Sequence, residues 1–367
     1  MPRLLIFHRT IAPYRIDFFN DLSRVFETCV CLQYKNLLSQ KFDYQKIANH
    51  FLFTPVYLKE LGRIRGRVFS RGYWSQLDKF CPDIVLVSEF GLDCLLVLLH
   101  RFIKKRNYRV VSICDDSYNM VAEHNDFSLI HRLLRRLITP QLDELILVES
   151  KVTEWYRQHY GKGLFFPIIK KDDTARSDYA RLLPKAYETA KQHQLLDRKI
   201  VLFVGRLVAL KNVNTLIKAF AFCSKEASLV IIGDGPERTS LEALAKEEGV
   251  PVLFTGRLEG DELLQWYNIA NVFCLPSYQE AFGAVTNEAL LAGCLGLISS
   301  KAGSQCLIQE GKNGYTFAPF NTEELAQKLK LSITHCKPST FEVLRPSQML
   351  IRYEDQMKEL IHHLYTL

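Results

Sequence analysis

The chain has 367 residues, of which 48% are hydrophobic and 24% are charged. This length exceeds what one hydrophobic core usually supports, so we expect two domains of ordinary globular composition. Residues 1–170 hold 25 Lys and Arg against 17 Asp and Glu, a net charge of +8, whereas the remainder (22 against 23) carries −1. A partner attracted by positive charge is therefore expected at the amino-terminal part.

Several classes of protein are excluded by the same sequence. The most apolar long window, residues 84–103, contains Glu89, Asp93, His100 and Arg101, which excludes a membrane-spanning helix. The apolar run at residues 4–7 is too short for a signal peptide and predicts a buried strand instead. The ten cysteines include no Cys-x-x-Cys pair, so we expect buried free thiols in a reducing cytosol and no zinc site.

The first half of the chain alternates strand and helix patterns. Strands are predicted at residues 4–7, 29–32, 84–87, 109–113 and 144–148, with helical patterns at 14–26 and 92–105. This alternation predicts a parallel sheet with helices on both faces. Residues 161–167 are predicted to form the strand that enters a linker, which places a domain boundary near residues 165–172.

Candidate polar residues of this half follow its predicted strands. The loop after the first strand has no glycine, so its backbone cannot approach a phosphate closely. Arg15 is a candidate to supply a side chain there, or it is an ordinary ion-pairing residue. Asp115 and Asp116 follow the strand at 109–113 and either bind substrate hydroxyl groups or cap the next helix. His8 and His124 are expected to be structural.

Basic residues form three clusters in the amino-terminal part. They are Arg63, Arg65 and Arg67 with Arg71; Arg101, Lys104, Lys105 and Arg106 with Arg109; and His131, Arg132, Arg135 and Arg136. Two of the clusters close or occupy helices whose other residues are Leu, Ile and Phe. Such a surface either rests on anionic lipid, at about 1 kcal/mol per basic residue, or simply satisfies helix dipoles and solvated faces. No recognised motif for nucleic-acid binding accompanies the clusters.

Three predicted strands of the second half each end in a glycine. The apolar runs at residues 200–204, 229–232 and 252–255 are followed by Gly205, Gly233 and Gly256. Such runs are typical of strands buried on both faces, and open α/β sheets bind ligands at the carboxyl ends of these strands. Arg206 and Lys211 follow the first glycine, and their charges can neutralise a diphosphate.

Two glutamates flank a Phe-Gly turn further along the chain. Glu280 is predicted in the loop after a strand at residues 271–276, and Glu288 in the first turns of a helix at 286–292. The free N–H groups of the turn and the positive end of the helix suit an anionic sugar phosphate. Taken alone, the spacing is not specific, because most glutamates are solvated surface charges.

The complete series of motifs resembles family 4 of the retaining nucleotide-sugar glycosyltransferases. The matching segments are residues 201–206 with Lys211, 232–236, 254–257, 277–289 and 311–314, and the resemblance covers roughly residues 195–330. It implies an α/β protein of GT-B architecture, in which two Rossmann-like, doubly wound parallel-sheet domains face a central cleft. We expect an acceptor-binding domain at 1–168, a nucleotide-sugar-binding domain at 169–345, and a helix within 346–367 that crosses back to the first domain.

The resemblance also implies a role for each matched residue. Arg206 and Lys211 would hold the donor diphosphate, Glu288 the ribose hydroxyls, and Glu280 the transferred sugar. The implied donor-binding set is Gly205, Arg206, Lys211, Gly233, Arg257, Leu258, Glu280, Phe282, Gly283, Ala284, Val285 and Glu288, with the base near Arg257 and Leu258. The catalytic candidates are Glu280, Arg206, Lys211, Asp115 and Asp116. Residues 301–306 depart from the Gly-Gly and Glu pattern of many relatives.

The implied activity is that of a retaining hexosyltransferase. It would move a sugar from a UDP or GDP sugar to a glycan or lipid-linked acceptor, in polysaccharide or lipopolysaccharide assembly. No Asp-x-Asp motif stands at a matching place, so we expect a metal-independent reaction with no required cofactor. The expected location is cytoplasmic, peripheral at the inner face of the membrane. The alternatives are an epimerase or hydrolase, or a non-catalytic interaction module.

Overall fold

The computed structural model describes residues 1–35, 44–64, 67–122, 129–223 and 225–367. The chain divides into two compact units. The first contains Met1–Ile168 and Glu354–Leu367, and the second contains Ile169–Tyr353. Each unit is built on a parallel sheet of its own.

The first unit contains a seven-stranded parallel sheet in the order β3-β2-β1-β6-β7-β8-β9. Its strands are β1 Arg3–His8, β2 Glu27–Leu32, β3 Val56–Tyr57, β6 Ile84–Ser88, β7 Arg109–Cys114, β8 Glu144–Leu147 and β9 Leu164–Phe165. The five strands predicted from the apolar runs are confirmed. Strands such as β6 are buried along their whole length, because helices cover both faces of the sheet.

Within the described part of residues 1–168, seven α-helices and one antiparallel hairpin accompany the sheet. The helices are α1 Ile16–Val25, α2 Tyr44–Ala48, α3 Tyr73–Phe80, α4 Leu92–Ile103, α5 Tyr118–Val121, α6 Leu129–Ile138 and α7 Ser150–Tyr160. The antiparallel hairpin of β4 Lys59–Ile64 and β5 Arg67–Arg71 was not predicted. Its charged residues interrupt the alternation that predicts a strand. Arg65, a member of the first basic cluster, lies outside the described residues.

The second unit contains a six-stranded parallel sheet in the order β12-β11-β10-β13-β14-β15. Its strands are β10 Lys199–Val204, β11 Ala227–Ile232, β12 Val252–Gly256, β13 Val272–Leu275, β14 Leu295–Ser299 and β15 Gly314–Phe317. The chain builds β11 and β12 on one side of β10 and then returns to place β13 on the other side. The carboxyl ends of β10 and β13 therefore flank the switch point where open α/β sheets bind ligands.

The helices of this unit correct one prediction. They are α8 Asp172–Arg181, α9 Leu183–Gln192, α10 Val213–Ala221, α11 Arg238–Glu247, α12 Asp261–Ile269, α13 Val285–Leu291 and α14 Thr322–His335. The sequence pattern predicts one helix at 179–193 after a polar, charged stretch at 170–178, but α8 already begins at Asp172. Pro184 lies in the first turn of α9, where its missing N–H costs nothing, and this separates two helices.

The last helix, α15, spans Tyr353–Thr366 and groups with the first unit from Glu354 onward. His363 Nε2 lies 2.9 Å from the carboxylate of Glu144, and the Tyr365 hydroxyl donates to the Val25 carbonyl at 3.0 Å. A helix that returns to the first unit was predicted as part of the fold class, and that class is confirmed. It begins later than the predicted residue 346. Within the described ranges, no helix is both long and apolar enough to cross a lipid bilayer.

Candidate active site

Three strand ends lie side by side at the carboxyl edge of the second sheet. Gly205 N–H donates to the Ile232 carbonyl at 3.0 Å, and Gly233 N–H donates to the Gly256 carbonyl at 2.8 Å. A Cβ on Gly233 would lie 1.8 Å from the carbonyl oxygen of Gly205, so only glycine fits between these strand ends. The three glycines therefore share one edge, as the sequence predicted, and leave its backbone open to a ligand.

Lys211 and Glu280 meet at this edge as an ion pair. The Lys211 ammonium contacts the Glu280 carboxylate, and their side chains are 17% and 20% exposed. Lys211 ends a short 3-10 turn after β10, whereas Glu280 lies in the loop that leaves β13. Two residues separated by 69 positions in sequence are thus brought together across the switch point of the sheet.

Asn212 fixes this arrangement and was not predicted. Its backbone is left-handed, with a φ of 54°, which asparagine tolerates better than most residues. Its buried amide donates to the Pro276 carbonyl at 3.0 Å and to the Pro319 carbonyl at 2.8 Å. Asn212 therefore ties together the loops that follow β10, β13 and β15. An asparagine directly before a helical pattern is the only signal that the sequence offered.

The segment after β14 supports the loop that carries Glu280. Glu280 N–H donates to the Lys301 carbonyl at 3.1 Å, and Gly303 N–H donates back to the Glu280 carbonyl at 3.1 Å. A Cβ on Gly303 would lie 2.2 Å from the Ala281 carbonyl oxygen. The segment 301–306, which departs from the pattern of many relatives, therefore still packs closely against the Glu280 loop.

The turn after Glu280 presents uncommitted backbone donors. Helix α13 begins at Val285, one residue before its predicted start, and Gly283 has a φ of 92° that favours glycine. Within the described part of the chain, the N–H groups of Gly283, Ala284 and Val285 donate to no carbonyl or side chain. Phe282 is buried and anchors the turn. Successive free N–H groups of this kind form a concave site for an anion.

Glu288 lies on α13 and is held by two side chains that were not predicted. One carboxylate oxygen lies 2.6 Å from the Lys170 ammonium, and the other accepts a hydrogen bond from the Tyr267 hydroxyl at 2.9 Å. Burial and the charge of Glu288 raise the pKa of Tyr267 well above its ordinary value, so Tyr267 stays protonated and donates. No motif in the sequence pointed to Lys170 or Tyr267, because each comes from a distant helix or connection.

The remaining candidates of this unit lie at its surface. Arg206 is exposed, and its side chain pairs with no residue that the structure describes. Arg257 is exposed and pairs with Glu259, whereas Leu258 is partly buried against the apolar core. The N–H groups of Arg257 and Leu258 make no backbone hydrogen bond within the described ranges.

Asp115 and Asp116 of the first unit have different surroundings. The Asp115 side chain is 43% exposed, and its carboxylate lies 2.5 Å from the buried guanidinium of Arg15. Asp116 is buried and accepts hydrogen bonds from the Tyr156 hydroxyl at 2.7 Å and from Arg135 at 3.2 Å. Arg15, in the 3-10 turn Pro13–Arg15 before α1, is therefore an ion-pairing residue beside one half-exposed carboxylate.

The electrostatics of Asp116 follow from its partners. Burial opposes its ionisation, but hydrogen bonds from His131 and Tyr156 and the charge of Arg135 lower its pKa below the ordinary value. The hydrogen bond to Asp116 in turn raises the pKa of His131. Neither aspartate accepts a hydrogen bond from the first N–H of α5, which belongs to Tyr118 and donates to the Glu149 carboxylate at 3.2 Å.

The two histidine candidates have different outcomes. Burial and the charge of Arg15 lower the pKa of His8 to about 4, so this ring is neutral at pH 7. Its Nδ1 atom lies 2.6 Å from the Thr10 carbonyl oxygen, which indicates a structural role. His124 lies outside the described residues. Within those residues, no three His, Cys, Asp or Glu side chains are grouped so that they could hold a metal ion.

The fold and this edge of the sheet agree with the comparisons with known proteins. Residues 187–337 match the family model of glycosyl transferases group 1. The sulfoquinovosyl transferase of Arabidopsis thaliana is 38% identical over 138 residues, which are 36% of this chain and 26% of that protein. The chain spans between 26% and 35% of the first three curated relatives it matches.

A second relative and a solved structure extend the match beyond this region. The GDP-mannose-dependent α-(1-6)-phosphatidylinositol monomannoside mannosyltransferase of Mycobacterium tuberculosis is 33% identical over 200 residues, which are 50% of this chain and 51% of that protein. The structure of Anabaena HepE in complex with UDP covers 100% of both chains with a TM-score of 0.75 and 16% identity. The chain therefore has the GT-B fold.

Proposed function

We propose that the protein is a retaining glycosyltransferase that moves a hexosyl group from a nucleoside-diphosphate sugar to a glycan or lipid-linked acceptor. The observation that carries the proposal is the Lys211–Glu280 pair beside the free N–H groups of Gly283 to Val285, at a glycine-lined strand edge. The family match of residues 187–337 supports the same activity.

The donor diphosphate is proposed to bind where the positive groups lie. Its charge increases as the bond to the sugar breaks, so fixed donors and cations at this position stabilise the transition state more than the ground state. Lys211 is held in place by Asn212, the N–H groups of the turn are uncommitted, and Arg206 has no partner among the described residues. Glu280 then holds Lys211 in place and accepts a hydrogen bond from a hydroxyl group of the transferred sugar.

The nucleoside part is proposed to bind along the same edge. Glu288 is held by Lys170 and Tyr267, and its carboxylate suits the two hydroxyl groups of a ribose. The free N–H groups of Arg257 and Leu258 suit the edge of a base. A UDP or GDP sugar is proposed as donor, because one relative is named as GDP-mannose-dependent and one solved neighbour holds UDP.

The reaction is proposed to retain the configuration of the donor sugar. The acceptor oxygen forms a bond to the anomeric carbon on the face from which the diphosphate leaves, and the acceptor proton passes to a departing diphosphate oxygen. Glu280 is paired with Lys211, which makes its carboxylate a poor nucleophile and suits it to positioning. Asp115 is proposed to act on the acceptor side, whereas Asp116 is committed to its internal partners.

The acceptor and the location are proposed from charge and from the named relatives. One relative is named for a phosphatidylinositol acceptor, and residues 1–170 carry a net charge of +8. A lipid-linked acceptor of polysaccharide or lipopolysaccharide assembly, reached from the cytoplasmic face of a membrane, fits both observations. The protein would then act at the membrane surface.

Transfer assays with labelled UDP, GDP, ADP and CDP sugars and a membrane lipid extract test this proposal. We expect label from one donor in the lipid fraction, to the same extent with EDTA present, because Lys211 and the N–H groups supply the positive charge that a metal otherwise gives. Transfer from no donor contradicts the proposal. Release of free sugar alone indicates a hydrolase, and activity lost in EDTA and restored by Mn²⁺ contradicts metal independence.

A further inference from the structure

Helix α6 (Leu129–Ile138) exposes four of its aliphatic side chains to solvent. Leu129, Ile130, Leu133 and Leu137 are 78%, 68%, 56% and 60% exposed. On a helical wheel these four positions span an arc of about 100°. The ordinary pattern, with aliphatic residues inward and charged residues outward, is reversed on this face.

The orientation of α6 is fixed by a buried arginine on its opposite face. Arg135 is 3% exposed and donates to the Asp116 carboxylate at 3.2 Å, and the Thr139 hydroxyl donates to the Arg135 carbonyl at 2.7 Å. Rotating the helix to bury its leucines would pull this guanidinium away from a carboxylate that has no solvent around it. The fold therefore keeps these aliphatic side chains exposed.

The carboxyl end of α4 (Leu92–Ile103) adds to the same kind of surface. Phe102 is 83% exposed and Ile103 is 57% exposed. Arg101 binds both the Gln141 carbonyl and the Asp143 carboxylate at 2.5 Å, so α4 ends beside the segment that follows α6. The carboxyl end of α4 thus presents two exposed apolar residues near the segment that follows α6.

Exposed basic residues accompany these apolar side chains. Lys104 and Lys105 follow Phe102 and Ile103 directly, and Arg136 lies next to Leu137 on α6; all three are exposed. Apolar side chains that enter the headgroup region, with cations that contact anionic headgroups, are the signature of a helix lying at a membrane surface. A twofold contact with a second copy would bring the same cations together, which disfavours that occupant.

We propose that the docking face, formed by the exposed aliphatic residues of α6 with Phe102 and Ile103, binds the surface of an anionic lipid bilayer. Through this docking face the proposed transferase would reach a lipid-linked acceptor, and in that respect the proposal rests on the proposed function. Its geometry lies wholly in the first unit and does not depend on the donor site. Lipid binding and sugar transfer can therefore fail separately.

Flotation of the full chain with vesicles, without any donor sugar, tests the docking face. We expect at least about tenfold more binding to vesicles of phosphatidylcholine mixed with phosphatidylglycerol than to phosphatidylcholine alone. The double substitution Leu133→Glu and Leu137→Glu is expected to reduce that binding at least about tenfold, because two carboxylates replace inserted side chains. The matched control, Phe222→Glu with Leu331→Glu on exposed sites of the second unit, is expected to bind like the wild type.

A charge variant and a size measurement complete the test. Lys104→Gln with Arg136→Gln is expected to lose most of the preference for anionic vesicles while keeping the same thermal unfolding temperature. Equal binding to both kinds of vesicle, or full binding by the Leu133→Glu and Leu137→Glu variant, overturns the proposal. So does self-association in sedimentation that this variant abolishes, with no vesicle binding by the wild type. Vesicle binding with no sugar transfer would leave the docking face standing and remove the proposed function alone.

Discussion

Lys211→Ala is expected to lower kcat by about 100- to 1000-fold, the effect of removing one preorganised group that stabilises transition-state charge. Lys211 is the cation held against Glu280, and Asn212 keeps it there by binding two other loops. The charge of the departing diphosphate is then met by the N–H groups of the turn alone. Initial rates at saturating donor, with the donor that the transfer assay selects, measure this loss.

The control for this variant is Lys218→Ala, which removes an exposed lysine from the helix that begins two residues after Lys211. It is expected to change kcat by less than about twofold, as surface substitutions away from a site usually do. A rise in KM with unchanged kcat in Lys211→Ala would show that the lysine binds donor and transition state equally. A kcat within about threefold of the wild type would remove Lys211 from the proposed reaction.

Arg135→Met is expected to lower the free energy of unfolding by about 3–5 kcal/mol, the usual cost of breaking a buried ion pair on one side only. Asp116 is 3% exposed, so the variant leaves a carboxylate inside the protein without its permanently charged partner. The Tyr156 hydroxyl and the His131 ring remain beside Asp116, but neither is a permanent charge like the Arg135 guanidinium. Chemical denaturation at pH 7 measures the difference from the wild type.

The control is Arg136→Met, the neighbouring exposed arginine of α6, which is expected to change stability by no more than about 0.5 kcal/mol. The pKa of Asp116 is lowered in the folded protein, so its contribution is present above the ordinary aspartate value of about 3.9 and is lost as pH falls through the lower, folded value. The penalty of Arg135→Met should therefore shrink in strong acid. A penalty below about 1 kcal/mol at pH 7 would show that the pair contributes little.

The fold could be predicted because its sheets are parallel and buried on both faces. Runs such as residues 200–204 carry no polar position, and each is followed by glycine where the next strand end comes close. Gly233 lies so close to Gly205 that no side chain fits between them. The close approach of these two strand ends is therefore visible in the sequence as a glycine. The hairpin of β4 and β5 escaped prediction because its strands are charged and lie outside the main sheets.

The candidate site was predicted in its motifs but not in its supports. Lys211, Glu280 and Glu288 stand in short, ordered patterns that a sequence displays. Asn212, Lys170 and Tyr267 hold them in place from positions whose residue types are common on any surface. Such supports depend on which loops and helices meet in space, and a single sequence does not state that.

The basic cluster on α6 is a second case in which the sequence did not state which residues meet in space. The pattern of α6 indicated a helix with both arginines and leucines, but it did not say which face lies inward. Arg135 is the inward residue because Asp116, from the end of β7, lies opposite it. Which face of α6 lies inward therefore depended on one buried pair.

Thermal unfolding in the presence of the donor is the most direct test of the claim that these groups bind a nucleotide sugar. A cognate donor at about 100 times its Kd should add about 2.7 kcal/mol to the stability of the wild type and of Lys218→Ala. Glu288→Ala and Lys211→Ala should each abolish that gain. If both variants keep the full gain from the same donor, the nucleotide sugar binds elsewhere and the account of this site is wrong.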